Sequence, residues 1–478
     1  MSNQSVNPRT GEKFGPVFMS TSPEAINEII SQSVLAHSVW SATSPKDRAR
    51  GLLAIADALD SQTEVLVDIA DEETALGRIR LTGEVARTTF QLRTFASALE
   101  AGQFVSDEID AAVEGAPPQG HPRFVRTVRG IGPVAVFGAS NFPFAFSTLG
   151  GDTASALAAG CSVVIKAHPA HPQTAQLTFD IARTALTSAG APTAVISLVH
   201  GFECGKTLVT DSRISAGAFT GSRAGGRALF DLAQGREYPI PFYGELGSVN
   251  PVVVLKSALD DPKSFVTAYL DSLLMGNGQF CTNPSVLFIP ESDEFVQELH
   301  TQIALREAAP FLSEATKKLH DSNRAHLVSS IDAVICQGKA VSENGFYTPA
   351  LVAVVKAKDL AKGLTDIGEE CFGPTGVVIS YSGVGEVIEI LGKMEGALAG
   401  SLFALFHDAD VSRVLDSLAS MCGRVAFNAW PTGVAVTYGQ HHGGPYPAST
   451  SSLHTSVGTH AITRFLRPVT FQGLPDVL

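Results

Sequence analysis

Positive charge is scarce in this chain. Lysine and arginine number 34 against 47 aspartates and glutamates, a formal net charge of −13 over 478 residues. Phosphate-rich polymers need a basic face on their partner, so this balance argues against nucleic acid while leaving room for a local pocket that takes a small phosphate. Long hydrophobic runs are missing too. No window offers the ~20 unbroken apolar residues of a membrane span. The opening Met1-Ser2-Asn3-Gln4-Ser5-Val6-Asn7-Pro8 lacks the basic start and apolar run of a signal peptide. Cysteines are few and scattered, at 161, 204, 281, 336, 371 and 422, with no close pair and no metal-type spacing. Reduced thiols, a cytoplasmic location and no metal centre are therefore expected.

What is present is apolar mass: 45% hydrophobic residues with only 17% charged, the profile of a well-packed enzyme. The length calls for two or three domains. Ser22 and Pro23 open a helix-like stretch over 23–72, with Ile26, Ile29, Ile30 and Val34 at helical spacing, and a second helix covers about 83–101. The Gly- and Pro-containing 102–122 reads as loop. Residues 124–129 alternate apolar and charged side chains, as a strand with one solvated or interface face does. Short apolar runs at 133–137, 162–166, 195–199 and 216–219 then alternate with helical stretches, the pattern of a doubly wound α/β domain. A second α/β unit begins near 251–255 and continues through 286–289 and 376–379, and the tail 464–471 is strand-like again. The expected division is a dinucleotide-binding domain from 1–110 and 131–245, a catalytic domain from 246–450, and a small β segment for oligomerisation from 111–130 and 451–478.

In a doubly wound sheet, ligands lie outside the carboxyl ends of the strands. Gly221, Ser222, Arg223 and Gly226 occupy such a loop. Its N–H groups either approach an anion at a helix N-terminus or make an ordinary turn, and the Gly-x-Gly-x-x-Gly fingerprint is absent. Lys166 ends a buried strand, where it reaches a ribose or phosphate or else snorkels to solvent. Asn141 ends another, as an oxyanion donor or a turn former. Glu370 and Phe372 precede a Gly-Pro turn, suited to ribose hydroxyls and a nicotinamide ring or simply to solvent. Cys281 sits in the small, uncharged run Gly276-Asn277-Gly278-Gln279-Phe280-Cys281-Thr282, and Glu245 in Glu245-Leu246-Gly247-Ser248. A thiol attacks carbon as the thiolate, and a carboxylate that relays a proton can help to form it. The alternative for Cys281 is the buried, inert thiol common in proteins.

In this order and spacing, Asn-Phe-Pro, the strand-end Lys166, Phe-Thr-Gly-Ser, Glu-Leu-Gly, Gly-Gln-x-Cys and Glu-x-Phe-Gly-Pro resemble the aldehyde dehydrogenase superfamily over nearly the whole chain. The resemblance implies an α/β fold with a Rossmann-like cofactor domain. It makes Cys281 the nucleophile, Glu245 the base and Asn141 the oxyanion donor. Lys166 and Glu370 would hold the two riboses, with Lys166 on the adenine side, Ser222 the pyrophosphate, and Phe372 would pack near the nicotinamide. Phe142, Phe146, Phe280 and Thr282 would line the aldehyde tunnel. Two departures from the family pattern carry information. Many NAD-preferring members have Glu where this chain has Pro169, and Lys166, His168 and Arg223 supply nearby cations, so NADP is expected to be preferred with NAD accepted. The C-terminal Phe427-Asn428-Ala429-Trp430-Pro431 with Gly443-Gly444-Pro445-Tyr446-Pro447 looks like the branch of 2,5-dioxopentanoate (α-ketoglutarate semialdehyde) dehydrogenases. Aromatic or long-chain aldehydes are the alternative substrates, since three phenylalanines suit them equally. A coenzyme A-acylating enzyme fits less well, because Glu245 would hydrolyse its thioester. A catalytically idle scaffold fits less well again, and one fast-reacting thiol of depressed pKa would argue against it. His441, His442 and Tyr438 are the only residues offered for a substrate carboxylate, and ordinary loop roles suit them better. In the resembled family the strand-like 123–130 and 463–471 pair between subunits, so a homodimer or homotetramer is expected.

Overall fold

Apolar runs with no polar alternation can only be strands covered on both faces, and two such sheets organise the chain. The computed structural model describes residues 2–340, 344–362 and 368–475. The first sheet has five parallel strands in the order Ile196–Val199, Val163–Lys166, Val134–Phe137, Ala216–Thr220, Phe242–Glu245. Chain order reverses between Val134–Phe137 and Ala216–Thr220, which opens a crevice at their carboxyl ends. One face packs on helices Pro45–Ser61, Arg78–Glu100 and Pro172–Ser188, the other on helices Pro23–Trp40 and Arg223–Gln234.

The second sheet has seven strands, in the order Val334–Gln337, Leu351–Lys356, Thr375–Tyr381, Val286–Pro290, Pro251–Val254, Ala397–Phe403, Cys422–Phe427. All are parallel except the first, an antiparallel edge strand. Separate apolar cores fill its two faces. No helix among the described residues is long and apolar enough to cross a membrane.

The expected helix over 23–72 is three helices, Pro23–Trp40, Pro45–Ser61 and Thr63–Thr74. The first break comes where Ser44 caps the next helix, its hydroxyl accepting from the Asp47 N–H, with Pro45 in the first turn. An amino-terminal hairpin, Ser2–Val6 with Lys13–Met19, went unforeseen because most of its second strand is exposed and carries no apolar alternation. The strand-like segments around 124 and 466 pair with each other: Leu466–Gln472 runs antiparallel to Phe124–Gly130 within one chain. Glu108–Asp110 takes the other edge of Phe124–Gly130, so the two outer strands of this small sheet are Leu466–Gln472 and the shorter Glu108–Asp110.

Candidate active site

Cys281 follows a tight loop whose backbone is unusual. Gly276, Asn277 and Gly278 all have positive φ (56°, 57° and 69°). Glycine adopts this region freely and asparagine tolerates it. Gly278 is needed for a second reason: a Cβ there would stand 2.1 Å from the Gly373 carbonyl oxygen. The loop bearing Cys281 therefore lies directly against the turn that follows Glu370.

Side chains fix the loop from beneath. Asn250 Nδ2 donates to the carbonyls of Cys281 (2.9 Å) and Asn283 (3.0 Å), and its Oδ1 accepts from Ser248 Oγ (2.8 Å) and the Ala399 N–H (3.1 Å). Asn283 Nδ2 reaches the Leu273 carbonyl at 2.7 Å. Asn141 is buried in the turn after the strand Val134–Phe137 and donates from Nδ2 to the Gln279 carbonyl at 2.9 Å. The structure thus joins Asn141 to the loop that carries Cys281.

Glu245 ends the last strand of the five-stranded sheet, opposite Thr220, and points at the same sulfur. Its Oε2 accepts from Ser456 Oγ at 2.7 Å, and its Oε1 lies 3.0 Å from His442 Nε2. The same Nε2 is 3.7 Å from Cys281 Sγ. His442 is buried, and its Nδ1 has no partner. A proton on Nδ1 would leave two lone pairs, Nε2 and Oε1, facing each other, so the arrangement favours Nε2–H. That N–H donates to Glu245 and is within reach of the sulfur.

Burial acts most strongly on both acids. It would raise the Glu245 carboxyl, but His442, Ser456 and the Cys281 thiol together hold it below the usual carboxylate value. Burial and then the Glu245 charge push the Cys281 thiol well above its ordinary range, opposed by Arg87. The protein therefore keeps a neutral thiol beside an ionised carboxylate. A pre-formed, fast-reacting thiolate is not what the free protein holds, and the proton must move as the sulfur reacts. The ligand atoms of Glu245, Cys281 and His442 lie within 4.8 Å of one another, a set that also suits a soft divalent ion. Its members come from three distant segments, so no spacing rule could have found it.

The expected tunnel residues come together. Phe142 lies edge-on to Phe146 (5.2 Å) and to Phe280 (5.1 Å), and Phe146 meets the His442 ring at 5.9 Å. Thr282 is buried, with its hydroxyl unpartnered. Among the three residues expected for a substrate carboxylate, His442 belongs to the cluster with Glu245 and Cys281, and His441 is half-buried beside it. Tyr438 is exposed, packed on His460 and Phe104 away from the sulfur.

A cleft of about 960 Å³ opens beside this cluster, lined by Ser222, Arg223, Arg227, Gly247, Glu370 and Tyr446 among others. Its size suits a dinucleotide. Ser222 caps the helix Arg223–Gln234, leaving that N-terminus directed into the cleft. Gly221 and Gly226 press against Phe219, which a Cβ at either position would strike. Glu370 projects over Gly247, where a Cβ would come within 2.3 Å of its carboxylate. Desolvation pushes the Glu370 carboxyl up to about 7. Such an acceptor, short of partners, fits a group that brings hydroxyls. Phe372 is half-buried in the turn after it. Lys166 ends its strand with Nζ 3.2 Å from the Ala167 carbonyl, its proton affinity lowered by burial.

His168 is not the cation expected. Burial first, then the neighbouring His171 and Lys166, lower its proton affinity well below the usual histidine range. Its Nδ1 accepts from the Ala170 N–H at 3.1 Å, and its ring stacks on His171. Arg223 keeps its charge but spends it on Glu395 at 2.6 Å.

The comparisons with known proteins agree with this geometry. The profile of the aldehyde dehydrogenase family matches residues 1–470. An alpha-ketoglutaric semialdehyde dehydrogenase of Acinetobacter baylyi is 38% identical, the match covering 99% of this chain and 92% of the relative. A second enzyme of that name, from Azospirillum brasilense, is also 38% identical, over 99% and 91%. Among solved structures, PnpE in complex with nicotinamide adenine dinucleotide superposes with a TM-score of 0.84 at 22% identity, covering 100% of this chain and 95% of that one. A 1-pyrroline-5-carboxylate dehydrogenase from Thermus with bound NAD gives 0.83 at 19%, covering 99% and 90%. These last two speak to the fold alone. A buried carboxylate turned on a cysteine at the mouth of a doubly wound sheet is thus met by relatives matched along almost their full lengths, and the chain belongs to the aldehyde dehydrogenase family as an NAD(P)-dependent oxidoreductase.

Proposed function

We propose that this enzyme oxidises 2,5-dioxopentanoate to 2-oxoglutarate, with NADP preferred over NAD, and releases the acid by hydrolysis. The observation that carries the chemistry is the Glu245–His442–Cys281 contact, in which one imidazole N–H serves both the carboxylate and the sulfur. The substrate is supported by the two relatives named for it at 38% identity. The cofactor preference is supported by Pro169 and by Arg223 and Arg227 in the cleft, where a 2′-phosphate would compete with Glu395 for Arg223. Lys166 and Glu370 would hold the riboses, with Ser222 at the pyrophosphate and Phe372 near the nicotinamide.

In this mechanism Glu245 accepts the thiol proton as the sulfur bonds to the aldehyde carbon. His442 donates from Nε2 to the anionic sulfur as it forms. Asn141 and the Cys281 N–H donate to the oxygen that becomes negative, an arrangement worth far more in a dry site than in water. When bound, the nicotinamide supplies the acceptor for the hydride leaving that carbon, and a thioester on Cys281 remains. Glu245 gives up its first proton, then takes one from the water that attacks the thioester carbon. The C–S bond breaks, and Cys281 and the acid are released. The enzyme acts in the cytoplasm, and the free edge of Leu466–Gln472 supports a homodimer or homotetramer.

The test is reduced-cofactor absorbance with 2,5-dioxopentanoate, succinic semialdehyde, benzaldehyde and a long-chain aldehyde, each with NAD and NADP. The highest kcat/KM is expected for 2,5-dioxopentanoate with NADP. A tenfold preference for NAD overturns the cofactor reading. A maximum with benzaldehyde or the long-chain aldehyde favours the second reading, an enzyme for aromatic or aliphatic aldehydes, which rests on the clustered Phe142, Phe146 and Phe280.

Cofactor binding should also depend on pH. Only the ionised Glu370 accepts from two hydroxyls, and its carboxyl titrates at about 7. The Kd for NADP should therefore fall as pH rises from 6 to 8, and Glu370→Gln should flatten that dependence in a fluorescence titration. The same shift acts oppositely on stability: the folded carboxyl binds its proton more tightly than the unfolded one, so this stabilisation is lost as pH rises through 7.

A further inference from the structure

Arg87 is a half-buried cation whose Nε and Nη2 are sealed from solvent. It stands on the helix Arg78–Glu100, its guanidinium carbon 5.4 Å from the centre of the Phe146 ring. Nη1 donates to the Val434 carbonyl. Nε and Nη2 are buried and make no hydrogen bond. Burial lowers its proton affinity, offset by Glu84 and Glu245 and, once its thiol ionises, by Cys281. Two of those three belong to the catalytic cluster. The third, Glu84, has its Oε1 committed to the N–H groups of Phe144 and Ala145. No carboxylate among the described residues pairs with Arg87.

Its neighbours differ in instructive ways. Arg80 is already occupied, over the rings of Phe142 (4.9 Å) and Phe280 (4.8 Å) and donating to the Asn141 carbonyl; its one free nitrogen is turned to Gly276. Arg424 holds the carbonyls of Pro431 and Gly433, on the segment that Arg87 grips at Val434, and its Nε is unpartnered. Two arginines thus clamp residues 431–434, and both would favour the anionic form of Cys281. Leaving buried guanidinium donors open is unfavourable unless a ligand meets them. Nε and Nη2 together form one of the two edges by which a guanidinium takes a carboxylate bidentately. From that edge a path of rings leads to the sulfur: Arg87 over Phe146, Phe146 beside His442 at 5.9 Å, His442 on Cys281 at 3.7 Å.

We propose that Arg87 is the specificity-determining residue, binding through Nε and Nη2 the distal carboxylate of a short ω-oxo acid whose aldehyde carbon reaches Cys281 along the Phe146 ring. This rests on the reading of Cys281 as the nucleophile and deepens it, because it selects charged aldehydes over neutral ones of equal length. Phe142, Phe146 and Phe280 then serve as the wall for the methylene chain, and Phe146 also as the surface that keeps the guanidinium in place.

The test compares 5-oxopentanoate with pentanal, which differ at the far end of the chain by the carboxylate. Wild type should favour the oxo acid. Arg87→Met should lower the ratio of the two kcat/KM values by about 100-fold, chiefly through KM, and Arg87→Lys should fall between. Glutarate, a dicarboxylate without an aldehyde, should compete with pentanal, its inhibition constant rising in Arg87→Met by a similar factor. Melting temperature and NADP affinity report whether the Val434 segment stays in place, and Arg87→Lys, which keeps the charge, separates recognition from folding. An undiminished oxo-acid preference in both variants overturns the proposal and leaves the dehydrogenase reading intact. If wild type shows no oxo-acid preference but glutarate competition depends on Arg87, the carboxylate site stands and the 2,5-dioxopentanoate assignment falls. Glutarate competition that is absent, or equal in all three proteins, overturns the proposal whichever aldehyde is best.

Discussion

Cys281→Ala is expected to abolish aldehyde-dependent cofactor reduction, with kcat falling by at least about 10⁴-fold for every aldehyde. No second nucleophile replaces the lost one. Of the five other cysteines, Cys161, Cys204, Cys336 and Cys422 are buried and Cys371 is half-buried, and burial raises each of their thiols. The substitution removes one sulfur from a loop held by Asn250 and Asn283 through the backbone, so folding should be nearly untouched, within ~1 kcal/mol. Cofactor affinity measured by fluorescence should likewise stay close to wild type. Residual turnover above a hundredth of wild type would remove Cys281 from the mechanism. So would a variant that traps no less acyl-enzyme than wild type in a rapid acid quench.

The second large effect belongs to His442. His442→Ala should cost about 10²–10³-fold in kcat, the scale of a positioned proton-transfer partner. The loss is not uniform in pH. Burial pushes the Glu245 carboxyl up, and His442 is the largest influence holding it down. Without the imidazole, Glu245 protonates at higher pH, and a protonated carboxyl cannot accept the thiol proton. The acid limb of the kcat profile should therefore move upward, making the deficit larger at pH 6 than at pH 8. His442→Gln, whose amide can still donate to Oε1, should recover part of the rate and part of the acid limb. Stability follows the same sign. A carboxyl held below its unfolded value stabilises the fold above that value and loses this as pH falls through the folded one, so wild type should gain more than His442→Ala on going from pH 3 to pH 6. An unchanged pH profile in His442→Ala would reduce the histidine to packing.

How far the sequence anticipates this site depends on how local each signal is. Lys166 was legible because it ends a short apolar strand and Asn141 because it follows one, and a parallel sheet brings such ends to one rim. Glu245 was read from the turn residues after it and not from the strand Phe242–Glu245 that carries it. Cys281 was legible through the glycines before it, which the structure explains by positive φ and the contact of Gly278 with the Gly373 carbonyl. His442 was named but read as loop, because nothing near it in the chain shows that it turns towards a carboxylate far away in sequence. Arg87 was missed. On a helix its charge reads as solvated surface, and only packing reveals that Phe146 and Val434 enclose it. His168 failed in the opposite way, since a histidine beside a lysine looks cationic until burial and that lysine are seen to suppress its proton. The hairpin Ser2–Val6 with Lys13–Met19 left no pattern because little of it is buried.

The cluster around the sulfur draws on residues 245, 281, 442 and 456. Ribosomes deliver chains from the amino end, and domains fold as they emerge. Both large sheets can close once Phe427 has been synthesised, since Cys422–Phe427 is the last strand of either. A polypeptide arrested there would carry Cys281 and Glu245 without the imidazole or the Ser456 hydroxyl that make them a pair. Assembly of the sulfur's surroundings thus lags behind closure of the sheets, and a nascent chain stopped there would hold both sheets while still lacking the proton-transfer partner of its cysteine.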